Sequence, residues 1–262
     1  MPPHLLLPST TSHKKEPLAA TLEVFARLGM RDLDINLWHI VEEGVSVGEM
    51  KTLLAAGGQT ARIASGGWCD FFDDDKTIDA TFRSVARQVE FTHALGVSAL
   101  RLFFGRLSRE DYSSASLQTI VCNLRRLSDL HADTTFMFEN HGSGASGQPA
   151  VCLDILSRVD RPNVRFNFDP INFEHVGVNC REALAMMRPF VGHVHLKGLD
   201  GREFCEFGSG TVDLTPVLAS LASSGYAGAF TVEYEGAGDR TVRLYESVQR
   251  AERALRQLAP AG

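Results

Sequence analysis

The stretch "TTFMFENHGSGASGQPAVCLDILSRVDRPNVRFNFDP", residues 134–170, decides the fold. A short apolar run, TTFMFENH (134–141), breaks at glycines. AVCLDILSRV (150–159) follows with apolar residues at helical spacing. NVRFNFDP (163–170) is a second short apolar run. This is a strand, a helix and a strand, the unit of a parallel sheet. The same rhythm continues towards the C-terminus. VGHVHLKG (191–198) and GAFTVEYEG (228–236) read as strands, each preceded by a helix, CREALAMMRPF (180–190) and DLTPVLASLASSG (213–225). A last helix covers 238–257. Towards the N-terminus the strands are HLLLPST (4–10), DLDINL (32–37), QTARIAS (59–65) and VSALRLFFG (97–105). The helices between them are 17–29, 48–58, 76–95 and 115–131.

That is eight strand–helix pairs with no spare elements, in a chain of 262 residues. Eight βα units in about 250 residues imply closure into a single-domain (β/α)8 TIM barrel covering residues 1–262. The rival is an open doubly wound sheet. It would carry a glycine-rich phosphate turn after its first strand, and PSTTSHKKE is not one.

Composition bounds the function. The chain is 44% hydrophobic and 22% charged, with a formal net charge of −6. No basic cluster suggests a nucleic-acid surface. No run approaches the ~18 apolar residues of a membrane span, and MPPHLLLPST lacks the pattern of a signal peptide. Five scattered cysteines without a C-x-x-C read as reduced thiols in a cytoplasmic protein. The acidic run DFFDDD (70–75) reads as a solvated, helix-capping loop.

Barrel chemistry sits where strands end at their C-terminal side, and strand residues i and i+2 share a face. On the inner face the fifth strand brings Glu139 and His141, with Asn140 opposite. The sixth brings Arg165, Asn167 and Asp169, the seventh His193, His195 and Lys197, the eighth Thr231, Glu233 and Glu235. The fourth adds Arg101, the second Asp34 and Asn36. Polar residues crowded into a barrel mouth cost ~1–3 kcal/mol for each group left unsatisfied, and converging carboxylates repel. A divalent cation removes both conflicts. Glu139, Asp169, His195 and Glu233 end four strands with one ligand each. Three carboxylates and an imidazole suit Mn²⁺ or Mg²⁺, with Co²⁺ or Zn²⁺ as alternatives. His193 reads as a hydrogen-bonded core residue.

The set FENHG (138–142), FDPINF (168–173), HVHLK (193–197), FGSGTVDL (207–214) and VEYEG (232–236) resembles the xylose isomerase-like TIM barrels, a family of sugar isomerases and epimerases. The resemblance implies that Glu139, Asp169, His195 and Glu233 bind one divalent metal. Many members carry Asp-x-x-His after the sixth strand, where this chain has Asn172, and Asp after the strand-seven lysine, where it has Gly198. A closer similarity is to metal-dependent 3-dehydroshikimate dehydratases, through Glu139-x-His141, Arg101 and His195-x-Lys197.

The chemistry implied is α-proton abstraction next to a metal-held carbonyl, with a metal-stabilised enediolate. The substrate is then a keto-sugar or a cyclic keto-acid. Returning the proton isomerises or epimerises; losing a β-hydroxyl dehydrates. The expected catalytic residues are His141 as acid/base, Glu139 and Glu233 as the acid–base pair of the epimerase route, and Lys197. A neighbouring cation should depress the Lys197 pKa and let it act as an acid. Arg101, Lys197, Asn172 and Trp68 are the expected substrate contacts, with Arg101 alternatively in a buried salt bridge to Asp34 or a neighbour. An apurinic-site endonuclease is disfavoured, since such enzymes need more histidines and a basic face. A non-catalytic sugar-binding barrel is disfavoured by the intact ligand set. Homo-oligomerisation stays open.

Overall fold

Alternating apolar residues drive the strands, and amphipathic helices cover them. The computed structural model describes residues 5–41, 43–67, 69–73 and 75–258. Its strands are β1 Leu6–Pro8, β2 Asp32–Asn36, β3 Thr60–Ser65, β4 Ala99–Phe103, β5 Thr135–Glu139, β6 Val164–Phe168, β7 Val191–Leu196, β8 Gly198–Asp200, β9 Glu203–Cys205 and β10 Phe230–Val232. The helices are α1 Leu18–Arg27, α2 Trp38–Val41, α3 Val47–Ala56, α4 Asp75–Ala94, α5 Ser114–Leu130, α6 Pro149–Val159, α7 Pro170–His175, α8 Cys180–Met187, α9 Thr215–Ser223 and α10 Arg240–Leu258.

Eight strands form one parallel sheet in the order β1-β10-β7-β6-β5-β4-β3-β2. A parallel bridge from Ser9 to Asp34 joins its two ends. The result is a nearly closed (β/α)8 barrel, as the sequence rhythm requires. Two apolar clusters divide the interior. The larger lies between strands and helices and takes the outward residues, such as Phe136, Phe138, Phe166, Val194 and Val232. The smaller is a plug inside the barrel made of Leu7, Ile63 and Met137. The polar inward residues therefore begin one step above the plug.

The expectation of no spare elements is corrected. β8 and β9 form an antiparallel hairpin after β7, and two short helices, α2 and α7, follow β2 and β6. The hairpin turns at Gly201, whose φ of +60° is open to glycine at low cost. The eighth barrel strand, expected over 228–236, keeps ladder pairing only at Phe230–Val232. Beyond it the Tyr234 amide donates to Ser12 Oγ at 2.9 Å instead. The helix expected over 180–190 stops at Met187, and Arg188–Phe190 tightens into a 3₁₀ turn around Pro189, which has no N–H to donate. Among the described residues no helix is long and apolar enough to cross a membrane. All five cysteines are free.

Candidate metal centre

The inner-face residues converge at the C-terminal mouth. Asp34, Glu139, Asp169, His195 and Glu233 are all at most 3% exposed. Ligand-capable atoms of Glu139, Asp169 and His195 lie within 4.8 Å of one another, and so do those of Asp34, His195 and Glu233. His195 belongs to both triads. Its Nδ1 stands 3.4 Å from Glu233 Oε2 and 3.7 Å from Glu139 Oε2, and its Nε2 4.0 Å from Asp34 Oδ2.

Local structure sets each position. Asp169 is the N-cap of α7: its Oδ1 accepts the Asn172 amide at 2.9 Å, which leaves Oδ2 for the mouth. Asn140 points away from the mouth and clamps the Asp169 backbone. It accepts the Asp169 N–H at 3.0 Å and donates to the Asp169 carbonyl at 2.9 Å. Asn172 donates to Glu139 Oε1 and to the Asn140 carbonyl, both at 3.0 Å. Asp34 accepts from Ser65 Oγ at 2.8 Å. His193 Nε2 pairs with Thr231 Oγ1 at 2.8 Å, the core role expected of it.

A metal fits this set on two observations. His195 Nε2 and Glu233 Oε1 are buried without a hydrogen bond, at a cost of ~1–3 kcal/mol per group in such a site, and Asp169 Oδ2 meets only the Lys197 ammonium. The four buried carboxylates Asp34, Glu139, Asp169 and Glu233 share two permanent cations, Arg101 and Lys197, and Lys197 also serves Glu235, so with a neutral His195 the cluster carries a negative excess. One divalent cation would match both.

The charges press on each other strongly. Burial opposes charging of His195, but the carboxylates of Glu233 and Glu139 outweigh it and lift the imidazole to about 9. Burial raises Glu139 to about 7 against the pull of His195 and Arg101. Glu233 also suffers burial, yet His195 and Lys197 hold it well below the usual carboxylate range. Burial raises Asp34. His141 is held below its ordinary value, first by burial and then by Lys197, so its imidazole is neutral near pH 7. Its ring packs against Phe103 with centroids 5.1 Å apart.

Lys197 is set among carboxylates. Burial opposes its charge, but Asp169 and Glu235 outweigh it and hold the ammonium well above its ordinary value. It stands 3.0 Å from Asp169 Oδ2, pairs with Glu235 Oε2, and lies under the Phe204 ring of the hairpin at 4.8 Å. Among these carboxylates alone it is a fixed positive charge. Arg101 forms the buried salt bridge expected as its alternative role, to a neighbour rather than to Asp34: its Nε stands 3.2 Å from Glu139 Oε2, and it donates to the Gly66 carbonyl.

A cavity of about 710 Å³ opens over the cluster. Arg101, Glu139, His141, Lys197 and Glu233 line it, with Trp38, Lys14 and Lys15 at its rim. Asn172 does not line it, because its amide is spent orienting Glu139. Trp68 lies outside the described residues. Sequence reasoning set Asp34 and Glu235 on the inner face without giving either a metal-binding or catalytic role, and did not foresee the Asn140 clamp. Asp34 carried a signal, its inward parity at the end of β2. Glu235 shares the parity of Glu233. The Asn140 clamp had none, because it depends on two strand ends meeting.

Comparison with known proteins agrees with this geometry. A family model described as xylose isomerase-like TIM barrel matches residues 34–260. A curated 3-dehydroshikimate dehydratase from Bacillus anthracis is 23% identical over 136 residues, 50% of this chain and 49% of the relative. The chain thus spans about half the length of that relative. Among solved structures, a D-allulose 3-epimerase from Methylomonas sp. in complex with D-allulose superposes with a TM-score of 0.80 at 19% identity, covering 97% of this chain and 98% of that one. A xylose isomerase-like TIM barrel protein from Mycobacterium smegmatis in complex with magnesium gives 0.77 at 16% identity, with 97% of each chain covered. Likenesses this remote in sequence establish the fold.

Proposed function

Since the chain belongs to the xylose isomerase-like TIM barrel family, we propose that it is a divalent-metal-dependent isomerase or epimerase. Its substrate class is a keto-sugar or related polyhydroxy ketone, deprotonated at the carbon next to its carbonyl. The observation that carries this reading is the buried ligand cluster, with an imidazole and three carboxylates converging at one barrel mouth and a negative excess once His195 is neutral. Glu139, Asp169, His195 and Glu233 hold the metal, and Asp34 reaches the same imidazole from β2. When bound, a divalent cation polarises the substrate carbonyl and offsets the charge that develops on its oxygen.

The remaining work falls to side chains. His141 is neutral, lines the cavity and lies outside the ligand cluster, so it can take the α-proton near pH 7. Glu139 and Glu233 can serve the two faces of the substrate in epimerisation. Lys197 and Arg101 supply fixed positive charge to substrate oxygens. Five free cysteines suit the reducing cytoplasm.

One observation favours a second reading, a dehydratase of the 3-dehydroshikimate type. Elimination needs a base on one face only, and His141 is a single base outside the ligands; the curated relative carries that activity in its name. There the α-carbanion expels the β-hydroxyl, which leaves as water after taking a proton.

The test uses full-length protein stripped of metal and reloaded with Mn²⁺. Deuterium uptake from D₂O into a keto-sugar, followed by NMR, supports the isomerase. Ultraviolet growth of an aromatic product from 3-dehydroshikimate supports the dehydratase. Absence of Mn²⁺ binding with neither signal refutes both and leaves a non-catalytic barrel.

A further inference from the structure

A second cavity of about 1140 Å³ opens beside the first, and Arg106 and His141 line both. The first cavity alone is large enough to enclose a ligand of several hundred Å³. The second is therefore surplus to holding a monosaccharide at the ligand cluster. Its walls come from the loops after β4, β5 and α7 and from the turn of the β8–β9 hairpin, all on the C-terminal side of the barrel.

The charge on these walls runs against that of the chain. The protein carries a net −6, yet Arg106, Arg109 and Arg202 line this cavity against Glu110 and Glu174. Glu174 is already engaged, since its Oε1 accepts the Cys180 amide at 2.8 Å. Arg109 is anchored by its Nε, which donates to the Ser143 carbonyl at 2.9 Å; its two terminal nitrogens make no hydrogen bond or ion pair among the described residues. The two loops of the cavity wall pack closely at Gly144, where a Cβ would come within 2.6 Å of the Leu107 carbonyl oxygen. Guanidinium groups from two loops around an open basin suit a planar or tetrahedral oxyanion, which they bind in a forked geometry.

We propose that this second cavity is a subsite for an acidic group of the substrate, a phosphate or carboxylate remote from the reacting carbonyl, held by Arg106, Arg109 and Arg202. The carbonyl end lies at the ligand cluster, and the chain passes His141 to reach the subsite. The inference rests on the proposed function for the location of the reacting end, and it narrows the substrate class to acidic polyhydroxy ketones.

Isothermal titration of the Mn²⁺-loaded full chain with inorganic phosphate, and separately with malonate, tests it. At least one anion binds the wild type, and its affinity falls tenfold or more in the Arg109→Gln/Arg202→Gln double variant. The better ligand identifies the group as phosphate or carboxylate. Both arginines are exposed, so the variant keeps its thermal midpoint and its Mn²⁺ affinity. Anion bound elsewhere cancels in the comparison. Failure of both anions to bind the wild type overturns the subsite, as does equal binding by the variant. Anion binding without Mn²⁺ binding sinks the metal-enzyme reading and leaves the subsite standing.

Discussion

Asn140 is the residue through which β5 and β6 fix each other's ends, and its removal should be felt both in stability and in metal affinity. The side chain is fully buried and makes two hydrogen bonds, both to the backbone of Asp169, at 3.0 and 2.9 Å. Asn140→Ala deletes the side chain but leaves the Asp169 N–H and carbonyl buried. Each orphaned group costs about 1–3 kcal/mol, so the pair costs about 2–6 kcal/mol. That is a large share of the ~5–15 kcal/mol that holds a domain folded. Asp169 also loses its tether, and outer partners of metal ligands typically contribute 10–100-fold to affinity. Urea denaturation of the metal-free protein measures the first effect, and Mn²⁺ titration the second. Asn140→Asp is the more telling variant. It keeps an acceptor for the Asp169 N–H but sets an oxygen against the Asp169 carbonyl, so it should recover only part of the stability. A loss below about 1 kcal/mol in Asn140→Ala, with Mn²⁺ affinity unchanged, would falsify the clamp.

Two further outcomes are expected. Met137→Ala hollows the barrel plug beneath the site and should cost ~2–5 kcal/mol by urea denaturation while leaving Mn²⁺ affinity unchanged; a cost under 1 kcal/mol would mean that the plug carries no packing. His13 is held below its ordinary value chiefly by burial, so below about pH 6.5 the unfolded chain takes up a proton that the folded chain refuses. Stability is therefore lost as pH falls through that window, and His13→Gln should flatten the decline in urea midpoint between pH 7.5 and 5; parallel declines in both proteins would count against it.

The strand count and the inward parity were legible because alternation is local. Leu33, Ile35 and Leu37 state which side of β2 faces the helices, and Val194 and Leu196 do the same for β7. Height along the barrel axis was not legible. Asp34 reaches the imidazole of His195 from a strand that slips in register against β3 between Leu33 and Asp34, and no residue pattern encodes that slip. The carboxylates that hold Lys197 were not legible for a similar reason. Its partners Asp169 and Glu235 come from two other strand ends. Asn172 aligned with a position that carries histidine in relatives, but its reach to Glu139 depends on α7 turning back over β5, a tertiary fact.

The segregation of the barrel interior has a thermodynamic consequence for metal binding. The plug closes the barrel below, so the cluster sits fully buried and its charges couple strongly. Where cation charge is lacking, protons supply it: His195 is raised to about 9 and Glu139 to about 7. At pH 7 the metal-free protein thus keeps His195 as the imidazolium and Glu139 partly protonated. A metal needs the neutral imidazole and the carboxylate, so binding must expel these protons. Mn²⁺ titrations at pH 7 in Tris and in PIPES, which differ in ionisation enthalpy, count them. The heats should differ by the amount expected for about one to two protons released per Mn²⁺. Affinity should rise with pH up to about 9, because the sites that must lose protons do so on their own as pH rises. Identical heats in the two buffers would show that the metal enters without touching His195 and Glu139, and the assignment of those two residues as ligands would fall.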